Sequence, residues 1–171
     1  LGVPFIRGAS RADVARALGF LHGQERFFQM DLMRRKAAGE LAELVGPAVA
    51  ELDRKIRVHR FRAVARRILA QDDAPGRDVI DAYVAGVNAG LAALAAPPFE
   101  YRLLSVRPAP WTAEDSLLVS LAMFIELHDE HGLQESARGL MRDLLPPDVY
   151  AFLTPPGSEW GAALVGPPFA V

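Results

Sequence analysis

Between residues 19 and 46 the chain reads GFLHGQERFFQMDLMRRKAAGELAELVG, and this stretch constrains the fold more than any other. Phe27, Met30, Met33 (or Ala37), Leu41 and Leu44 recur at steps of three and four, which places them on one side of a helix. Gln24, Glu25, Arg26, Gln29, Asp31, Arg34 and Arg35 are interleaved with them. A run this apolar is expected to be covered. Several of those polar groups must then find partners in the interior or at an interface, because unpaired burial is costly. The plain alternative is an amphipathic helix with a solvated charged face, which the Asp31/Arg35 spacing of i,i+4 favours modestly. Pattern alone prefers that alternative.

The rest of the chain punctuates into helices. Gly2-Val3-Pro4-Phe5-Ile6 reads as a short extended strand, since Pro4 biases Val3 toward the β region. A single strand needs partners. Few other segments here look like strands, so its sheet is expected in another chain. Ser10 and Asp13 form a weak capping box, and Val14, Leu18 and Leu21 begin the first helical stripe. Gly19 and Gly23 are points where the helix can bend or another backbone can approach closely. Gly46-Pro47 is a strong stop.

A second helix is predicted over 48–69, with Leu52, Ile56, Ala63 and Ile68 as core positions. Its seven basic residues between 54 and 67 could form an anion surface. Acidic neighbours and the missing aromatic interleaving favour a solvated face instead. After Pro75-Gly76 a third helix carries Ile80, Val84, Val87, Leu91 and Leu94 at helical spacing, and Gly86 in its interior suggests close packing. A proline-rich, partly extended loop over 97–110 leads to Thr112, an N-cap with Asp115 at N3. The fourth helix, 114–127, is apolar nearly all round and should be buried on every side. In a chain of 171 residues that implies cover from another subunit. Pro146-Pro147-Asp148 opens a short turn or helix ending near Leu153, and 154–171 reads as an irregular tail. The prior for this length is one domain, with an extended segment at 1–8 and helices over 10–135.

Several classes of chemistry are excluded. The chain has no cysteine, so disulfides and thiolates play no part. Its formal net charge of −2 is a poor footprint for nucleic acid. No apolar run approaches the ~20 residues of a membrane span. Neither a Gly-x-Ser-x-Gly elbow nor a phosphate-cradling glycine loop is present. The chain starts at Leu1 with no signal peptide, as a mature or cut fragment would. His128, His131 and Glu135 have metal-ligand side chains, but their spacing matches zinc only loosely, and a polar loop is the simpler reading.

Gly2-Val3-Pro4, Ala17-Leu18-Gly19-Phe20, Gln24-Glu25-Arg26-Phe27-Phe28-Gln29-Met30-Asp31, Arg34-Arg35 and Gly39-Glu40-Leu41-Ala42-Glu43-Leu44-Val45-Gly46 form a colinear series. Asp53 and Arg57, Tyr83-Val84-Ala85-Gly86-Val87-Asn88-Ala89, and Pro108, Trp111, Thr112 and Asp115 continue it. The series resembles the small chain of the penicillin acylase family of N-terminal nucleophile hydrolases, over roughly residues 2–135. Ala85 stands where many relatives have aspartate, and Phe5 where histidine is common.

The resemblance implies a mainly α chain that packs on, and adds its short N-terminal strand to, the αββα sandwich of a large partner chain cut from the same precursor. It implies a periplasmic or secreted amide hydrolase whose nucleophile is the large chain's first residue, a serine. No catalytic residue is then expected in this chain. Met123, Phe124, Leu127 and His128 fall where relatives line the acyl pocket, although ordinary core is nearly as good a reading for Phe124 and Leu127. Glu135 falls where the family's shared calcium site takes one carboxylate from the small chain. The substrate is expected to be a small N-acyl amide such as a penicillin, or an N-acyl-homoserine lactone. Two other readings stand beside this one. One is a non-catalytic helical scaffold that is stable as a monomer. The other is a metal enzyme built on His128, His131 and Glu135.

Overall fold

The computed structural model describes residues 2–71, 76–127, 132–155, 157 and 166. The chain divides into two compact units, Leu1–Ile125 and Glu126–Val171. The first holds α1 (Arg11–Glu25), α2 (Phe27–Ala38), α3 (Ala42–Val45), a 3-10 turn (Pro47–Val49), α4 (Ala50–Arg57), α5 (Phe61–Leu69), α6 (Arg77–Ala92), α7 (Phe99–Leu103) and most of α8 (Ala113–Leu127). The second holds α9 (Leu133–Leu144) and α10 (Pro147–Leu153). The chain is mainly helical, as expected, and no strand occurs among the described residues. The N-terminal segment lies extended, with Val3 83% and Phe5 80% exposed.

Ser10 starts α1 with a reciprocal capping box: its Oγ accepts from the Asp13 amide (3.1 Å) and Asp13 accepts from the Ser10 amide (3.0 Å). The chain kinks at Arg26 (φ −136°, ψ 10°) rather than at Gly19 or Gly23. Those glycines serve the other purpose, close approach. They lie four apart on α1, and Gly86 and Gly90 lie four apart on α6, so each pair occupies one helix face. A Cβ on Gly19 would sit 2.3 Å from the Tyr83 carbonyl oxygen, and one on Gly86 would sit 2.0 Å from that of Arg16. The two backbones therefore touch directly, and α1 and α6 pair more extensively than any other elements.

Four sequence expectations need correction. The helix predicted over 48–69 is two helices, α4 and α5, parted by Arg60 in the left-handed region (φ 54°). No glycine or proline marks that break. Two separate anchors explain it: Arg57 Nε donates to the Gly39 carbonyl (2.7 Å) from α4, and Arg62 pairs with Glu40 from α5. Leu52 and Ile68, assigned to the core, are exposed, whereas Ala65 is fully buried. The proline-rich loop contains α7, and its Tyr101 is among the largest buried side chains. Helix α9 also carries the helices past residue 135, whereas α10 ends at Leu153 where the sequence places it.

The core of the first unit gathers Phe27, Leu44, Val87, Tyr101 and Trp111, with Ala37, Leu118 and Ala122 in a second cluster. Phe27 meets Tyr101 (ring centroids 6.2 Å apart) and Trp111 (6.4 Å, edge-on), geometries that favour aromatic pairing.

The helix crossing generates a test. Gly86→Ala should destabilise by about 2–3 kcal/mol or more, since a methyl must displace backbone. Gly139→Ala, whose Cβ would meet nothing within 4 Å, should gain up to ~1 kcal/mol from helix propensity. Urea denaturation of both variants checks the pair, and equal effects would refute the close-crossing account.

Candidate functional site

Gln29 is exposed, but the other interleaved polar residues of α2 do not form a solvated face. Asp31, Arg34 and Asp115 are buried together, and the amphipathic-helix alternative is wrong for them. Arg34 Nε donates to Asp31 (2.7 Å), Nη1 to Asp115 (2.7 Å) and the Pro110 carbonyl (2.8 Å), and Nη2 to the Ala109 carbonyl (2.9 Å). Its guanidinium also lies over the rings of Trp111 (5.1 Å) and Phe27 (5.8 Å). The Tyr101 hydroxyl donates to Asp31 (2.6 Å), and burial followed by that bond raises the phenol's pKa. Arg35 adds a third donor to Asp31 (2.9 Å). Among the described residues no buried side-chain nitrogen or oxygen lacks a partner. A network this satisfied does structural work, and it offers no unmet group for chemistry.

What the network positions is the start of α8. Asp115 Oδ2 accepts from Arg34 and from the Thr112 amide (2.8 Å) and hydroxyl (2.7 Å). Asn88 on α6 grips Trp111 from both sides: its Nδ2 donates to the Trp111 carbonyl (2.9 Å) and its Oδ1 accepts from the Trp111 amide (2.8 Å). Arg62 and Arg66 of α5 reach Glu114, and hydrogen bonding to Glu40 raises the Arg62 pKa further. Thus two members of the basic run, the part-buried Arg62 and the exposed Arg66 of α5, pair with acidic residues of the same chain. Asn88 lies inside the quoted Tyr83–Ala89 segment, but nothing in spacing alone signals its grip on Trp111.

Anchored this way, α8 buries Leu118 and Ala122 and turns its other side outward. Met123 and Phe124 are each 54% exposed and Leu127 is 77% exposed. Within this chain, then, Phe124 and Leu127 are not core. Three of the four pocket residues expected from the sequence stand on one helix end, while His128 lies outside the described residues, as does His131. Glu135 is exposed in the first turn of α9. Among the described residues no group of three acidic or histidine side chains is placed to hold a metal. Glu135 therefore fits calcium only as one ligand of a site completed from elsewhere.

A second feature escaped the sequence reading. His22 Nδ1 and the Tyr83 hydroxyl lie 2.9 Å apart across the α1–α6 crossing, with the rings edge to face. Burial, and then the nearby Arg26 charge, lower the His22 pKa, while burial raises that of Tyr83. Both groups are therefore held neutral near pH 7.

The sequence profile of the family described as "Penicillin amidase" matches residues 1–163. The chain belongs to that family. It is 47% identical over 118 residues to "Penicillin acylase 2 proenzyme" of Pseudomonas sp. (strain SE83), covering 69% of this chain and 15% of the relative. It is 33% identical over 157 residues to "Acyl-homoserine lactone acylase QuiP" of Pseudomonas aeruginosa, covering 91% of this chain and 18% of the relative. This penicillin amidase family chain thus spans less than a fifth of the length of these curated relatives. Among solved structures it resembles a chain of a thermostable penicillin G acylase from Alcaligenes faecalis, with a TM-score of 0.70 and 23% identity, over 98% of this chain and 93% of that one. The fold is therefore that of an acylase chain. No described helix is long and apolar enough to cross a membrane.

Arg34→Met should cost about 3–5 kcal/mol, because it removes the buried cation shared by two buried carboxylates. Arg54→Ala breaks only an exposed pair with Glu51 and should cost less than ~1 kcal/mol. Parallel denaturant titrations decide whether burial or charge count sets the difference. His22 supplies a pH test. Its folded-state pKa lies below the ordinary 6.5, so protonation is disfavoured in the folded chain. Its stabilising contribution is present above pH 6.5 and declines as the pH falls through the lowered value. His22→Gln should flatten the fall in Tm as the pH drops below about 6.5, measured by thermal melts; an unchanged slope would assign the acid sensitivity to other groups.

Proposed function

We propose that this chain is the small chain of a two-chain amide hydrolase, one that cleaves an N-acyl amide with a large chain cut from the same precursor. The observation that carries the reading is the outward apolar end of α8. Met123, Phe124 and Leu127 lie exposed on a helix whose other end is fixed by buried ion pairs, a costly arrangement unless something covers them. The proportions of the relatives support it. The curated proteins are several times longer than the matched region, yet the similar solved acylase chain is about the same length as this one. Family membership supplies the chemistry.

In that chemistry the hydroxyl of the large chain's terminal serine attacks the amide carbonyl, and its own α-amine takes the proton. The tetrahedral intermediate expels the amine, which leaves protonated, and water then releases the acid from the acyl-enzyme. This chain supplies no reacting group. Met123, Phe124 and Leu127, joined by His128, form one wall of the acyl pocket and favour an apolar acyl group. Glu135 contributes one carboxylate to a calcium site completed by the large chain, which binds the two chains together and takes no part in the acyl transfer. The compartment is periplasmic or secreted, in keeping with family habit.

Two acyl-amine classes remain in play for specific reasons. The higher identity is to a penicillin acylase, but the longer match, 91% of the chain, is to an acyl-homoserine lactone acylase. Expression of this chain with its downstream reading frame should give two co-purifying chains that release acid and amine from phenylacetyl or long-chain N-acyl substrates. Phe124→Ala should lower kcat/KM for the preferred acyl group about tenfold, a loss of ~1.4 kcal/mol, and less for a shorter one. Failure to hydrolyse any N-acyl amide, in a preparation whose chains have separated correctly, would sink the assignment.

A further inference from the structure

A cavity of about 310 Å3 lies where α1, α2, α6 and α8 meet, between His22, Met30, Met33, Tyr83, Trp111 and Val119. Its walls are mainly apolar. The polar groups on it already have partners: His22 with Tyr83, and the Ser116 hydroxyl with Trp111 Nε1 (3.0 Å). An anion, a sugar or a metal ion would find little to bind there, whereas hydrocarbon would lose nothing by entering. The size is at the lower end of the about 300–1,000 Å3 typical of small-molecule sites and suits one or two large side chains. Two methionines in the wall can adjust to the shape of an occupant. Ser116, Val119 and Met123 follow at steps of three and four on α8, so the cavity opens along the same helix side that carries the exposed Met123.

We propose that this cavity is a socket for a bulky apolar side chain of the large chain, a docking point distinct in its residues from the acyl wall at 123–128. The inference rests on the two-chain acylase reading. The large chain is the chosen occupant because the curated relatives extend far beyond the 15–18% of their length matched here, so most of the family's polypeptide is available to supply the knob. A hole beside a mainly apolar helix side is an arrangement in which one inserted side chain can fix the register of an interface.

The test uses the full precursor carrying the photo-reactive residue p-benzoylphenylalanine in place of Met33. Irradiation of the assembled enzyme should link position 33 to one peptide of the large chain, identified by mass spectrometry. Val119→Phe, which fills the socket, should weaken association of the chains at least tenfold, while Lys55→Phe on the exposed side of α4 should leave it unchanged. If Val119→Phe fails to process, the cross-link alone decides. A link to a second copy of this chain would make the cavity a self-association surface and overturn the proposal. Protection of the link by dodecanoyl-homoserine lactone would make it part of the acyl site and overturn it too. So would an assembled, active enzyme giving no link. Absence of both a large chain and any amide hydrolysis would instead remove the acylase reading, and the socket with it.

Discussion

Arg34 is the residue on which the first unit depends. Burying a guanidinium is unfavourable unless its donors and charge are met, and here two carboxylates, two backbone carbonyls and two aromatic faces meet them. The partners come from α2, from the segment before α8 and from α8 itself, so satisfying one cation orders three parts of the chain. An apolar residue would fill the space without dictating which carbonyl or carboxylate belongs where. The ion cluster thus specifies an arrangement more than it adds stability.

The second constraint is steric. Four glycines bring the α1 and α6 backbones into contact, and that contact sets where Tyr83, Val87 and Asn88 emerge from α6. Val87 enters the core, Tyr83 meets His22, and Asn88 reaches the main chain of Trp111. A wider crossing would pull Asn88 away from Trp111 and loosen the root of α8. Close packing in one place is therefore transmitted to a helix end many residues away.

Much of this was legible in the sequence, and the reasons differ by element. The capping residues Ser10 and Thr112, the helical identity of α6 and α8, and the packing role of Gly19, Gly23 and Gly86 follow from local rules that the chain obeys. The break at Arg60 was not readable because long-range anchors on Gly39 and Glu40 impose it, with no local breaker. Leu52 and Ile68 were misplaced because each lies near an end of its own short helix, away from the buried Ile56 and Ala65. The burial of Asp31 and Arg34 depended on partners some 70 to 80 residues away, which periodicity does not detect. The assignment of 123, 124, 127 and 128 to an acyl wall came from family resemblance and remains a proposal; the structure adds that the first three are exposed on a helix anchored at its other end.

That anchoring has an evolutionary consequence. The residues that hold α8 in place sit in its first turns, while those that would touch an acyl group sit in its last ones and contribute little to this chain's own interior. Mutations at 123, 124 and 127 can therefore accumulate without unfolding the scaffold that presents them. If the proposed acyl wall is right, a lineage built this way can change which hydrophobic cargo it takes while its architecture stays put.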